Sequence, residues 1–316
     1  VNLFRAARAV AGSDGDGPVD WTAVGAAAHA ATDPGDLSLS PAERDGYADD
    51  VADARASIRA AAGVDFDLPE TIEVQNRHHW IDANIETFRR LLAPLEGQVT
   101  LAPALARTAN TGSMAVTLGF LANNVLGQYD PLLLGDGDDD HGLYFVHPNI
   151  VAVADALDVD HDRFRRWIAF HEVAHAAEFD SAPWLAPHLE SSMEHAVSEL
   201  AAGRFDRRAL DDLNVTMTAV EGYAELVMDR AFDEEYADLR EKLDERRGNV
   251  GPVSRIIRRL LGIGRKRRQY ERGKGFFDAV ADERGVAGAA VVWERQENLP
   301  TDAELDDPDA WLRRVS

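Results

Sequence analysis

Apolar residues recur at a spacing of three and four along most of the chain, so most of it reads as helix. The stretch from Trp80 to Leu92 is an example, with Ile81, Ile85, Phe88 and Leu91 on one stripe. Residues 2 to 30 read as one or two short helices separated by "GSDGDGP". A further helix is expected after Ser40, with Pro41 in its first position, Glu43 three residues past the cap and Gly63 at its end. "DVDHDRFRRWIAFHEVAHAAEF" is a central helix, capped near Asp158 or Asp160 and finished before Pro183. Helices follow over about 190–203, 215–230 and 233–247, with a basic one from Ser254 to about Leu261. The C-terminal stretch holds a helix, a short apolar segment and a final helical turn.

The middle of the chain departs from this rhythm. "NTGSMAVTLGFLANNV" suits a buried helix, whereas "LGQYDPLLLG" is too broken for one and turns into a strand. "LYFVHPNIV" reads as a second strand, stopped by Pro148, which makes a hairpin of residues 129 to 147. The expected class is therefore mainly α with a small β-sheet (α+β). No linker cuts the chain cleanly. Residues 1–100 read as a helical N-terminal region and 101–316 as the core with the C-terminal helices, the two expected to form one intimately packed unit.

Composition narrows the chemistry. The 316 residues are 45% hydrophobic and include no cysteine. Disulfides, thiolate metal sites and cysteine nucleophiles are excluded, and a bound metal must take His, Asp, Glu or backbone oxygen. The net charge of -23 repels nucleic acid. No apolar run approaches membrane-spanning length, and "VNLFRAARAVAGSDGDG" lacks the apolar core of a signal peptide. A cytoplasmic protein that binds neither nucleic acid nor membrane is expected.

Within the central helix stands His171-Glu172-Val173-Ala174-His175. Histidines four apart share a helix face and can take two corners of a zinc tetrahedron. Glu172, rotated off that face, suits the water rather than the metal and is the expected general base. The flanks are apolar: Trp167, Ile168, Phe170, Val173, Ala174 and Phe179. One zinc ion is thus the expected cofactor, but two histidines do not complete its site. Glu221 is the best third ligand, because "TAVEGYAELVMD" is apolar and a charge there needs a reason. Glu225, four residues on, is the expected partner for the spare N–H of His171. Glu178 is the runner-up ligand and Asp229 a weaker candidate for an outer position. His188, His195 and Tyr223 are candidate stabilisers of an oxyanion, and Tyr144 to His147 a candidate edge for an extended substrate.

Other patterns carry less. "DGDDDHG" alternates aspartates but lacks the glycine and glutamate of a calcium loop. "LGIG" and "GKG" are not phosphate loops, and no Gly-x-Ser-x-Gly elbow is present. The basic run "RIIRRLLGIGRKRRQYERGKG" reads as an internal helix whose arginines meet the body's carboxylates.

Taken together, "LGQYDP", "FVHPNI", "RWIAFHEVAHAAEF", "PWL", "VEGYAELVMD", "QYERGKGF" and "LPTDAELDDPDAWLRR" resemble a family of zincin-like hydrolases. That family occurs in actinobacteria, Chloroflexi and haloarchaea and is sometimes labelled as associated with coenzyme F420 biosynthesis. The resemblance covers most of the chain from about residue 70. It implies a zincin-like metallopeptidase core with His171 and His175 as ligands, Glu172 as catalytic residue, Glu221 as third ligand and Glu225 as an orienting group. The forty-five residues between His175 and Glu221 are more than in familiar peptidases of this kind. The acidic, arginine-over-lysine composition is similar to that of proteins from salt-loving archaea. The expected activity is zinc-dependent cleavage of a peptide. The alternatives are a metal-stabilised scaffold with little turnover, or a hydrolase of small non-peptide molecules linked to cofactor biosynthesis. An open coordination position separates enzyme from scaffold.

Overall fold

The computed structural model describes residues 1–93, 103–130, 142–204, 206–232, 236, 238–239, 242 and 266–315. The expected turn at "DGDDDHG", the basic helix from Ser254 and nearly all of the expected helix 233–247 lie outside the described residues. No helix among the described residues is long and apolar enough to cross a membrane. Among the described residues the chain is mainly helical with one small sheet, and it divides into two compact units.

The first unit comprises Val1–Arg44, Pro69–Val153 and Glu190–Ala209. Helix α1 (Leu3–Ala11) packs on α2 (Trp21–Ala31), and α2 packs on α4 (Arg77–Leu91) and α5 (Pro103–Ala122). Their shared core is Val24, Ala27 and Ala28 of α2, Trp80 and Ile81 of α4, and Ala115, Leu118 and Ala122 of α5. The alanines let the helix backbones approach while the tryptophan fills the remaining volume. Strands β1 (Thr71–Gln75), β2 (Gly127–Asp130) and β3 (Gly142–Val146) form a sheet in the order β1-β3-β2. β3 runs parallel to β1, Thr71 opposite Gly142, and antiparallel to β2, Gly127 opposite Phe145.

The β2–β3 pairing agrees with the expected hairpin, but the second strand ends one residue before the expected stop. It ends at Val146, and helix α6 (His147–Leu157) begins at once. Pro148 opens that helix rather than stopping the strand, since a first-turn residue needs no amide donor. Asn149 secures the junction: its carboxamide donates to Ala122 O (2.8 Å) and Val125 O (2.6 Å) and accepts from Arg77 Nε (2.6 Å).

The second unit comprises Asp45–Leu68, Ala154–Leu189 and Leu210–Ser316. Helix α3 (Pro41–Ala62) starts at the expected capping box. Ser40 N donates to Glu43 Oε2 (2.8 Å) and Glu43 N to Ser40 Oγ (3.2 Å). Gly63 ends α3 at φ +69, the left-handed conformation glycine allows. Helix α7 (His161–Ser181) is capped by Asp160, whose carboxylate accepts from Arg163 N at 2.9 Å. Arg165 of α7 is buried against Asp50 of α3 (Nε to Oδ2, 2.6 Å), and it also holds Asp162 at 2.7 Å. Helix α8 (Leu185–Ala201) starts earlier than expected. Helix α9 (Arg207–Ala231) follows, then α10 (Lys266–Ala290), three short 3-10 turns and α11 (Pro308–Arg314).

α9 and α10 meet at a pair of glycines. A Cβ on Gly222 would stand 2.5 Å from the carbonyl carbon of Gly273, and one on Gly273 would stand 2.4 Å from Thr218 O. These are main-chain atoms, so a helix must move to relieve either clash. Two residues along α10, Gly275 is exposed with open space around its Cβ position. The same substitution should thus act in opposite directions. Gly273→Ala is expected to lower stability by roughly 1–3 kcal/mol through overpacking. Gly275→Ala is expected to raise it by about 0.4–1 kcal/mol through the unfolded chain. Urea titration of the two variants beside wild type checks both signs.

Candidate metal centre

Three side chains from two helices converge in the second unit. His171 and His175 lie one turn apart on α7, with their Nε2 atoms 3.2 Å from each other. Glu221 of α9 brings Oε2 to 3.9 Å from His171 Nε2. One ligand-capable atom from each of the three lies within 4.8 Å of the others. Two donors bound at about 2.0–2.1 Å to a tetrahedral ion stand roughly 3.4 Å apart, so the observed separations bracket the tetrahedral edge. Two imidazoles and a carboxylate are also the donor types zinc takes in open catalytic sites.

Neighbours hold both rings. The Trp167 indole stacks on His171, with ring centres 5.7 Å apart and planes 6° from parallel. His175 Nδ1, the nitrogen on the other side of the ring from His171, lies 2.8 Å from Glu178 Oε2. On sequence grounds Glu178 is the runner-up ligand. Here its carboxylate is committed to the outer nitrogen of His175, while Glu221 stands beside the inner ones. The i, i+3 spacing of His175 and Glu178 was the signal for this contact.

The local field favours a cation. Burial opposes a charge on His175, but the hydrogen bond and charge of Glu178 outweigh it, with Glu221 and Glu172 adding to them. Its pKa is pushed up to about 9. Glu178 is pushed up to about 7 by burial, against the hydrogen bond and charge of His175. The carboxylates that hold a proton on His175 would equally attract a metal ion, which must displace that proton to bind.

The remaining candidates are placed as follows. Glu172 is buried, within the field of His175. Glu225 is buried one turn beyond Glu221 on α9. Asp229, a further turn on, pairs with Lys274 Nζ at 2.8 Å, and that ammonium also bonds Asp278 at 2.5 Å. Tyr223 is buried with its ring edge-on to Phe277 and Trp293. Burial, reinforced by the charge of Glu178, raises its hydroxyl pKa, so the group stays neutral. His188 Nε2 lies 3.2 Å from Thr216 Oγ1, and burial pushes its pKa down. His195 belongs to the first unit, where it lies 3.5 Å from Asp206. Tyr144 to His147 also belong to the first unit.

Access to the cluster follows a pattern in burial. From Trp167 to Glu178, every residue of α7 is buried except His171 and His175. From Thr216 to Met228, every residue of α9 is buried except Met217 and Glu221. Solvent thus reaches the middle of both helices at the proposed ligands and at one further side chain.

A family model described as zincin-like metallopeptidase matches residues 19–204 and 199–312. The chain is also similar to a solved structure from Chloroflexus aurantiacus described as "a putative hydrolase with a novel fold". That likeness has a TM-score of 0.73 at 29% sequence identity and covers 100% of this chain and 98% of the other. No curated protein matches the chain.

The geometry ranks the acids. Glu221→Gln is expected to weaken zinc more than Glu178→Gln does. Loss of the outer carboxylate at His175 should cost on the order of 10- to 100-fold in affinity. Competition with a chelator measures both, and a larger effect at Glu178 would reverse the assignment.

Proposed function

The chain belongs to the zincin-like metallopeptidase family, and on that premise we propose that it is a zinc-dependent hydrolase acting on peptide bonds. His171, His175 and Glu221 would hold one zinc ion. The observation that carries the reading is access: these three side chains are 17%, 14% and 17% exposed, within helix segments that are otherwise buried except at Met217. A scaffold site would be sealed by a fourth protein ligand, whereas three ligands at an opening leave room for substrate.

When bound, zinc supplies Lewis acidity to a carbonyl oxygen and lowers the pKa of water towards neutrality. The residues of the chain do the rest. Glu172 follows His171 directly and points off the ligand face, so its carboxylate suits the attacking water. It accepts the proton as the oxygen attacks and returns it to the departing amine. Its burial keeps that proton from exchanging freely with solvent. Glu178 holds His175 in the tautomer with a bare Nε2, the form a metal needs. Trp167 limits rotation of the His171 ring.

The net charge of -23 supports concentrated salt as the working medium, where counterions screen self-repulsion. Glu172→Gln is expected to abolish cleavage while the protein stays folded and zinc-loaded. A mixed peptide library incubated with each protein in molar salt and read by mass spectrometry tests this. Equal cleavage by variant and wild type would remove Glu172 from its role. A folded, zinc-loaded wild type that cuts no peptide would remove peptides from the substrate class.

A further inference from the structure

We propose that Met217 forms an apolar subsite beside the metal centre and selects peptides with a large apolar side chain next to the bond being cut. This inference rests on the peptidase reading and names the substrate that reading leaves open.

Met217 and Glu221 are four residues apart on α9, so their side chains stand one above the other on one face. Between Thr216 and Met228 they are the two side chains that solvent reaches. Met217 is 40% exposed, and among the described residues of the second unit it is the one exposed large hydrophobic side chain. Its neighbours on α9, Thr216 and Thr218, are buried and turn elsewhere, their hydroxyls bonded to Asp212 O (3.2 Å) and Asn214 O (2.7 Å) one turn back. An exposed methionine is common enough on a surface. Here, however, the exposure falls on the row that carries the proposed third ligand.

The chemistry of the row fits an apolar group of variable shape. Methionine has three rotatable bonds and a polarizable sulfur, so it moulds itself to side chains of different outline. The carboxylate of Glu221, one turn along the same face, disfavours an acidic side chain at the same place. A leucine, phenylalanine or methionine in the substrate would cover Met217 and remove both surfaces from water.

The test uses a binding readout and a cleavage readout. The chain has four methionines, so protein labelled with 13C in the methionine methyls gives four resonances. Loss of one peak in Met217→Ser assigns Met217. Acetyl-Ala-Ala-Leu-Ala-Ala-amide, and the same peptide with Glu for Leu, are titrated into zinc-loaded Glu172→Gln protein in molar salt. The Leu peptide should move the Met217 methyl, and the Glu peptide should leave it in place. In cleavage by otherwise wild-type protein, Met217→Ser should lower kcat/KM for the Leu peptide about tenfold. It should change the all-alanine peptide less than twofold, with zinc affinity and melting temperature unaltered.

Equal response to both peptides, no response at Met217, or an equal loss on every peptide overturns the subsite. If the Met217 methyl answers the Leu peptide but the zinc-loaded wild type cuts nothing, the subsite stands and the catalytic reading falls. If wild type and Met217→Ser cut with the same preference, the hydrolase stands and the subsite falls.

Discussion

The contact between His175 and Glu178 is the constraint on which the centre depends. Glu178 is 1% exposed and would be costly to ionise without a positive partner. His175 supplies one, at 2.8 Å. Because Nδ1 is committed there, Nε2 is left to face His171, whose own Nε2 stands 3.9 Å from the Glu221 carboxylate. The same contact explains why α7 is apolar on either side of the pair. The helix must be packed tightly enough to exclude water from Glu178, yet open at His171 and His175. Removing the imidazole alone would therefore strand a buried carboxylate.

Much of this was legible in the sequence because it was local. The capping box at Ser40 and Glu43, the glycine ending α3 and the two histidines one turn apart each need only a few residues to be recognised. Glu221 was legible for a different reason, as a charge within an apolar helix. Strand β1 was not. Its five residues, Thr71-Ile72-Glu73-Val74-Gln75, do alternate polar and apolar, but Ile72 is exposed on this edge strand, so the alternation picks out no buried face. The helix opening at Pro148 was hidden because proline has opposite meanings at the end of a strand and in the first turn of a helix. Glu178 was read by type, as a carboxylate near a candidate metal site. Deciding between ligand and hydrogen-bond partner needs the distance to Nδ1.

Several quoted motifs turn out to be joints between elements. Asn149 of "FVHPNI" ties the end of α5 to Arg77. Lys274 of "QYERGKGF" meets Asp229 of "VEGYAELVMD". Gly273 and Gly222, from the same two motifs, let α10 lie against α9 directly behind Glu221. The specificity of these motifs thus comes as much from packing as from chemistry.

The glycine pair has a genetic consequence. A side chain on Gly222 or Gly273 would strike the backbone of the other helix, and backbone cannot be trimmed by mutation. Shrinking a neighbouring residue, the usual route by which one substitution rescues another, is closed here. A suppressor screen started from alanine at either position should return the original glycine far more often than a second-site change. Recombination between distant relatives would succeed only when both halves arrive with their glycines in place.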